Sequence, residues 1–202
     1  MAAAAENLTK VSFELGGKAP AIVLSDANLD LAVEAIKNSR ILNGGQVCNS
    51  AERVYVHRKI ADAFTDRLAK AMQVSKFGNP LEDLSVDYGP LINREGLSKV
   101  EGMVSRAKND GATVVTGGRR GDRGKGWFYE PTVLADCRQE MEIVQKEIFG
   151  PVVPVVTVED LDQAIEYAND SEYGLTSSIY TSNLDVAMRE LQSRPFARIR
   201  TG

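Results

Sequence analysis

The sequence predicts an α/β fold built on a mainly parallel β-sheet. Strand-like segments alternate with helical patterns of about ten to fifteen residues along the 202-residue chain, an order typical of parallel α/β sheets. Two short runs, 21–24 and 152–156, are apolar throughout, as in strands that are buried on both faces. Because no repeat, low-complexity tract or linker interrupts this alternation, we expect a single domain over residues 1–202.

Six segments have the short, apolar or β-branched character of strands. They are 21–24, 53–57, 112–116, 128–134, 152–156 and 175–180. Segment 152–156 is apolar on both faces, so we expect it at the centre of the sheet even though Pro154 lacks a backbone donor. Pro131 indicates that its strand is an edge strand or contains a bulge. A further apolar run, 11–15, precedes the first strand and a turn at Gly16-Gly17.

Five amphipathic helices are predicted from apolar residues that recur with a period of about 3.6 residues. They cover 29–42, 60–68, 97–107, 161–168 and 184–191. Asp26 or Asn28 can cap the first helix, because short polar side chains accept hydrogen bonds from the first helical amides. That helix runs up to the Gly44-Gly45 pair, where the backbone is free to leave the helical conformation.

The composition excludes several classes of protein. A formal net charge of -4 gives no basic surface for nucleic acid or for an anionic membrane. No apolar run approaches the roughly 18 residues that a membrane-spanning helix needs. Residues 1–10 are too short and too polar for the core of a signal peptide. We therefore expect a soluble, cytoplasmic protein with no nucleic-acid or membrane partner.

Cys48 is the strongest candidate for a chemical function, and it follows the glycine pair between a helical and a strand-like segment. Catalytic side chains often lie on such connections. Free cysteines are also commonly buried as inert packing, so both interpretations stay open. Cys137 has no feature beyond that of a buried or half-exposed thiol. The two cysteines are far apart and no cysteine and histidine cluster has zinc spacing, so we predict neither a disulfide framework nor a metal site.

Two other features have ordinary structural explanations. Segment 117–126 is rich in glycine and arginine, but it fits neither the dinucleotide nor the phosphate-loop spacing, so a solvated loop is favoured. His57, the single histidine, falls on a predicted strand after Cys48. We interpret it as a strand residue rather than as the partner of a cysteine hydrolase.

Three separate segments together resemble the catalytic domain of the NAD(P)-dependent aldehyde dehydrogenases. They are Phe-Glu-Leu-Gly-Gly-Lys-Ala-Pro at 13–20, Gly-Gln-Val-Cys at 45–48 and Glu-Ile-Phe-Gly-Pro at 147–151. The interval from Glu14 to Cys48, 48 − 14 = 34 positions, is also usual in that family. The resemblance implies a three-layer αβα domain that oxidises a small aldehyde, of the lactaldehyde or glycolaldehyde kind, to its acid.

The resemblance assigns catalytic roles to Cys48 and Glu14. Cys48 would attack the aldehyde carbonyl as a thiolate, giving a thiohemiacetal and then, after hydride transfer to NAD, a thioester. Glu14 would activate the water that hydrolyses this thioester. Without the resemblance, Glu14 would be interpreted as a solvated residue at the end of a strand.

The resemblance also implies contacts with NAD or NADP. Glu147 corresponds to the residue that holds the nicotinamide ribose, since a carboxylate can accept hydrogen bonds from two hydroxyls, and Phe149 would pack near the nicotinamide. Gly16 is grouped with them because its turn leaves room beside the thiol. The alternative is a surface glutamate and a core aromatic residue. Lys146 stands where many relatives have an acidic residue, so the local charge differs.

Full-length relatives carry a Rossmann-like cofactor domain before the point where this chain begins, and residues 194–202 depart from the family pattern. We therefore expect a catalytic domain truncated at both ends, so that the isolated chain binds NAD poorly and turns over little or not at all. Two alternatives remain: a non-catalytic module that folds and self-associates, and a thiol esterase that uses Cys48 and Glu14. Exposed apolar faces would favour a homo-oligomer.

Overall fold

A single six-stranded sheet organises the chain, and the computed structural model describes its residues 2–193. The strands are β1 Pro20–Val23, β2 Arg53–His57, β3 Thr113–Thr116, β4 Thr132–Ala135, β5 Val152–Val158 and β6 Ser178–Tyr180. Their spatial order is β3-β4-β5-β2-β1-β6. The predicted departure of 194–202 from the family pattern lies outside the described residues.

All neighbouring strands are parallel except β3 and β4, which confirms the predicted mainly parallel sheet. β5 pairs with β4 on one side and β2 on the other, so 152–156 is central as predicted, and Pro154 is accommodated opposite Leu134. β4 also has neighbours on both sides, so Pro131 does not mark an edge strand. The irregularity in its pairing lies on β3, between Val114 and Thr116.

The helices are α1 Ala2–Ala5, α2 Leu29–Ile41, α3 Ala61–Gln73, α4 Arg94–Asn109, α5 Glu142–Gln145, α6 Leu161–Asn169 and α7 Leu184–Gln192. All except α1, which buries none of its residues, pack on one face of the sheet or the other. The sequence does not predict α1 and α5, because four residues are too few to show a helical period. Of the two candidate caps of α2, Asn28 is the cap and accepts from the Leu31 amide at 3.1 Å, whereas Asp26 accepts from Ser182.

Two hydrophobic clusters explain why the strands are apolar at successive positions. Val54 and Val56 of β2 face the cluster that includes α2 and α3, whereas Tyr55 between them faces the cluster with α4, α5 and α6. Alternate side chains of one strand therefore enter different cores. This arrangement confirms the three-layer αβα domain. None of the helices within the described part of the chain is long and apolar enough to cross a membrane.

Several predicted boundaries differ from the structure. Regular pairing in 128–134 begins only at β4, and pairing in 175–180 begins only at β6. The apolar run 11–15 lies outside the sheet, and Leu15 in it is 71% exposed. Apolar residues alone do not make a strand where no neighbour is available for pairing. Segment 117–126 is a mainly exposed loop between β3 and β4, as predicted.

Candidate active site

The sequence-predicted site residues gather at one edge of the sheet, where three adjacent parallel strands begin. Gly17 lies just before β1, Cys48 just before β2 and Glu147 just before β5. Because β5, β2 and β1 are neighbours and run parallel, the segments that enter them meet at the same edge. Most open α/β sheets bind ligands at the opposite, carboxyl ends of their strands. The candidate site of this chain is therefore formed by the loops that precede the strands rather than by the loops that follow them.

Cys48 lies in a tight turn that follows a break in the helix. After α2, a short 3₁₀ turn covers Leu42–Gly45, and Asn43 and Gly44 have left-handed backbones with φ of 50° and 62°. The Ser50 amide then donates to the Val47 carbonyl at 3.2 Å, which closes a turn around Cys48. The Cys48 side chain is half-buried, so its sulfur is neither sealed in the core nor fully exposed.

The Gly16-Gly17 segment has no regular secondary structure and does not form the predicted turn; it lies between Cys48 and Glu147 with no room for a side chain at Gly17. A Cβ on Gly17 would overlap the carbonyl oxygen of Cys48. The Gly17 amide donates to Glu147 Oε1 at 2.9 Å, and a Cβ on Gly16 would lie 2.9 Å from Glu147 Oε2. Three of the predicted site residues, Gly16, Cys48 and Glu147, are thus joined through direct contacts of this one segment.

The segment that carries Phe149 also touches the segment that carries Cys48. A Cβ on Gly45 would overlap the backbone carbonyl of Gly150, and Gly45 itself has a φ of 78°. Phe149 is half-buried and has a left-handed backbone with φ of 58°, which is uncommon for a bulky residue. The 147–151 segment is therefore held in a conformation that its own sequence disfavours.

Glu14 lies on an exposed segment without regular secondary structure. It is three positions before Gly17, so its Cα cannot be more than about 11 Å from that of Gly17. Since Gly17 contacts the Cys48 turn, Glu14 is confined to the same edge of the sheet as the thiol. Its role as a base remains a prediction.

A buried ionic cluster supports this edge, and sequence patterns did not predict it. Glu52 pairs with Lys18 at 2.9 Å and with Arg40 at 2.8 Å, and all three side chains are at most 1% exposed. Arg40 also donates to Ser50 Oγ at 2.9 Å and to the carbonyls of Gly45 and Gly150. Charged residues are normally assigned to the surface. The available signal was the spacing of Arg40, four residues after Ile36 on the apolar face of α2.

Burial changes the protonation of this cluster. Desolvation lowers the pKa of Lys18 to about 8, although the Glu52 carboxylate opposes that shift. Burial alone would raise the pKa of Glu52, but the positive charges of Arg40 and Lys18 and the Ile148 amide together lower it. Glu52 is therefore an ionised carboxylate at neutral pH, enclosed by groups that donate to it.

Raising the pH from 8 to 10.5 is expected to stabilise the folded chain through Lys18. Its pKa falls from 10.5 to about 8 on folding, so the unfolded chain binds more protons throughout this window. Stability contributed by the neutral amine is complete above the unfolded pKa and is lost as the pH falls through the folded pKa. The fall of the Lys18 pKa from 10.5 to about 8 corresponds to on the order of 3 kcal/mol in the free energy of unfolding.

Urea unfolding of the original chain and of Lys18→Met at pH 7.5 and pH 10 measures this effect. As the pH rises, the free energy of unfolding of the original chain is expected to increase relative to that of Lys18→Met. The matched variant removes the titrating amine and keeps every tyrosine. Equal pH dependence in the two proteins would contradict the shift.

The remaining candidates have the ordinary roles predicted for them. Cys137 is 5% exposed, and burial raises the pKa of its thiol to about 12. His57 ends β2, at the far end of the strand from Cys48, and its Nδ1 accepts from the Lys59 amide at 3.1 Å. Within residues 2–193, no three His, Cys, Asp or Glu side chains are grouped so that they could hold a metal ion.

The model of the aldehyde dehydrogenase family matches residues 1–198 of this sequence. The chain belongs to the aldehyde dehydrogenase family. It is 57% identical to lactaldehyde dehydrogenase of Escherichia coli (strain K12) over 196 residues, which are 97% of this chain and 41% of that protein. It is 44% identical to 3,6-anhydro-alpha-L-galactose dehydrogenase of Vibrio sp. (strain EJY3), covering 93% of this chain and 39% of that protein.

Solved structures of aldehyde dehydrogenases have the same fold. The crystal structure of lactaldehyde dehydrogenase from Escherichia coli superimposes with a TM-score of 0.91 over 96% of this chain and 41% of that chain. Betaine aldehyde dehydrogenase from Staphylococcus aureus, solved in complex with NAD+, is 39% identical and has a TM-score of 0.89 over 96% of this chain and 39% of that chain. The chain spans about two fifths of the length of the curated relatives it matches.

These comparisons confirm the aldehyde dehydrogenase resemblance drawn from segments 13–20, 45–48 and 147–151. They also confirm the predicted fold. The roles of individual residues in those segments are separate hypotheses, which depend on the site geometry.

Proposed function

We propose that this chain provides the thiol-bearing part of an NAD(P)-dependent aldehyde dehydrogenase that oxidises a small aldehyde to its carboxylic acid. The contact of the Gly16-Gly17 segment with both Cys48 and Glu147 is the observation that carries the proposal. It brings the backbone of Cys48 and the carboxylate of Glu147, remote in sequence, to the two sides of one segment. The similarity to lactaldehyde dehydrogenase of Escherichia coli supports a small hydroxyaldehyde as the substrate.

Cys48 is the proposed nucleophile. Its thiolate adds to the aldehyde carbon, so a C–S bond forms and the carbonyl oxygen becomes an oxyanion. The Cys48 backbone N–H is the proposed donor to that oxyanion. The half-buried position of Cys48 leaves its side chain accessible to a small carbonyl compound.

Glu14 is the proposed general base. Its carboxylate would remove a proton from a water molecule that attacks the thioester carbon, and cleavage of the C–S bond then releases the acid and regenerates the thiol. The exposed position of Glu14 keeps its carboxylate in contact with bulk water. It can therefore return the proton to solvent between turnovers.

Glu147 and Phe149, both in the 147–151 segment, are the proposed contacts for the nicotinamide end of NAD or NADP. Glu147 is half-buried and its Oε2 faces Gly16, where the absence of a Cβ leaves a narrow space beside the carboxylate. Glu147 would hold the ribose hydroxyls and Phe149 would pack at the nicotinamide. The nicotinamide, when bound, supplies the hydride acceptor for oxidation of the Cys48 adduct.

We further propose that the protein acts in the cytoplasm as a homo-oligomer. The support is the number of large apolar side chains that stay exposed, including Leu15 at 71% and Leu184 at 75%. Such side chains favour association when they are contiguous.

Two assays with the purified chain test the proposed function. In the first, the chain is mixed with NAD+ and glycolaldehyde or lactaldehyde, and NADH formation is followed. In the second, hydrolysis of an activated phenyl ester is followed without cofactor. NADH formation supports the proposal, and ester hydrolysis alone supports the thiol esterase alternative. A folded chain that does neither is the non-catalytic module, which would overturn the proposed activity for this polypeptide.

Alkylation by iodoacetamide at pH 7 is expected to label Cys48 at least about tenfold faster than Cys137, because only an accessible thiolate reacts. The buried Cys137, with a pKa of about 12, holds almost no thiolate at that pH. Peptide mass spectrometry after timed labelling measures both rates in one sample. The denatured chain is the control, in which the two thiols should react at similar rates. Similar rates in the folded chain would argue against an accessible nucleophile at Cys48.

A further inference from the structure

The Glu52 carboxylate lies where the three segments of the candidate site meet. Its Oε2 accepts from Lys18 Nζ at 2.9 Å and from the Ile148 amide at 2.9 Å. Its Oε1 accepts from the Phe149 amide at 3.0 Å and pairs with Arg40 at 2.8 Å. One buried side chain thus binds the segment after Gly17, the helix before Cys48 and the segment after Glu147.

We propose that Glu52 is a positioning residue that holds the Glu147–Phe149 segment in its site geometry against the Cys48 turn. The inference rests on the proposed function, because these two segments are the ones assigned to the cofactor and the nucleophile. Glu52 itself is 1% exposed, so its side chain offers almost no surface to a substrate or a cofactor. It acts through the backbone of Ile148 and Phe149.

The conformation of Phe149 shows why a carboxylate is needed there. A left-handed backbone costs a non-glycine residue free energy, and φ of 58° at Phe149 therefore requires support from its surroundings. Glu52 captures the amides of two successive residues, Ile148 and Phe149, and so fixes the peptide plane that enters this conformation. The aromatic ring of Phe149 takes its direction from that plane.

The same carboxylate also couples this segment to the thiol. Arg40, which pairs with Glu52, donates to the Gly150 carbonyl at 2.8 Å and to the Ala51 carbonyl at 3.2 Å. It therefore links the end of the 147–151 segment to the backbone that follows Cys48. Glu52 and Arg40 together determine the distance between the two halves of the candidate site.

Glutamine cannot replace Glu52 in this position. Both carboxylate oxygens already face donors, and each oxygen has two of them. A glutamine side chain has the same shape but would direct its NH₂ group at one of those pairs of donors. Hydrogen bonds to at least one of the two backbone amides would then be lost or displaced.

The test compares Glu52→Gln with Val158→Ala in the full chain. Val158 is 1% exposed and ends β5, at the edge of the sheet opposite the candidate site, so its truncation lowers global stability without touching the site. Amide hydrogen exchange of Ile148 and Phe149 is followed by NMR, together with the Cα and Cβ chemical shifts of Phe149, which report its backbone conformation. We expect at least about tenfold faster exchange at one or both amides in Glu52→Gln than in Val158→Ala, and displaced Phe149 shifts.

The double variant Lys18→Met/Glu52→Gln removes a buried positive charge with the negative one and covers the case in which Glu52→Gln does not fold. If Glu52 positions the backbone, this variant also exchanges faster at Ile148 and Phe149. Exchange and shifts equal to those of the original chain, in either folded variant, would overturn the inference. If exchange and chemical shifts equal those of the original chain only in the double variant, Glu52 does no more than neutralise Lys18. That result would also overturn the inference.

Iodoacetamide labelling separates failure of this inference from failure of the proposed function. If Cys48 of the original chain is not labelled faster than Cys137, the assigned nucleophile is wrong. The NMR comparison still decides whether Glu52 fixes the backbone of Ile148 and Phe149, since exchange does not depend on thiol chemistry.

Discussion

Cys48→Ser is expected to reduce ester hydrolysis, and NADH formation wherever the original chain shows it, about a thousandfold or more. A serine hydroxyl has nearly the size of a thiol but is far less acidic, so the anion that attacks the carbonyl is almost absent at neutral pH. Cys48 is half-buried in a turn held by the Ser50 amide, and a hydroxyl fits the same space. The loss should therefore appear in the rate and not in the fold.

The matched control for this variant is Cys137→Ser. Cys137 is the second thiol of the chain and is 5% exposed. It follows the carboxyl end of β4, at the edge of the sheet opposite the candidate site. Urea unfolding measures the stability of Cys137→Ser. Its catalytic rate per folded molecule should stay within about twofold of the rate of the original chain. A Cys48→Ser protein that keeps a tenth of the original rate would show that another group is the nucleophile.

The strand pattern of this fold was predictable because the inner strands β4, β5, β2 and β1 each enter two cores. Val54, Tyr55 and Val56 are all apolar or aromatic, which periodicity alone identifies as a strand buried on both faces. The same rule overestimates strands at 175–180 and gives no indication that the apolar run 11–15 lies outside the sheet. Pairing partners are distant in sequence, and no local pattern specifies them.

The site was predictable only in part, for a related reason. Cys48 and the glycine pairs stand out in the sequence because they interrupt regular elements. The contact of Gly17 with the Cys48 carbonyl depends on the parallel pairing of β1 and β2, which sequence patterns do not give. Glu52 was missed because a charged residue beside a strand is ordinarily solvated. Its burial follows from Lys18 and Arg40, which arrive from two other segments.

Gly45→Ala is expected to destabilise the chain by about 2–5 kcal/mol and to disturb the candidate site. Gly45 has a φ of 78°, which costs an alanine about 1–2 kcal/mol. A Cβ there would also overlap the Gly150 carbonyl and lie 2.8 Å from Arg40 Nη2, so the Cys48 and 147–151 segments would have to separate. Overpacking of this kind adds about 1–3 kcal/mol.

Gly124→Ala is the matched control, because it isolates the steric part of that cost. Gly124 has nearly the same φ, 77°, but a Cβ there meets no atom within 4 Å. Urea unfolding should give it only the backbone penalty of about 1–2 kcal/mol, well below that of Gly45→Ala. The rate of Cys48 alkylation should change in Gly45→Ala and stay constant in Gly124→Ala, because only Gly45 separates the nucleophile turn from the Gly150 backbone. Equal losses of stability in the two variants would mean that the contact between Gly45 and Gly150 is not tight, and that the two halves of the site are joined mainly through Glu52 and Arg40.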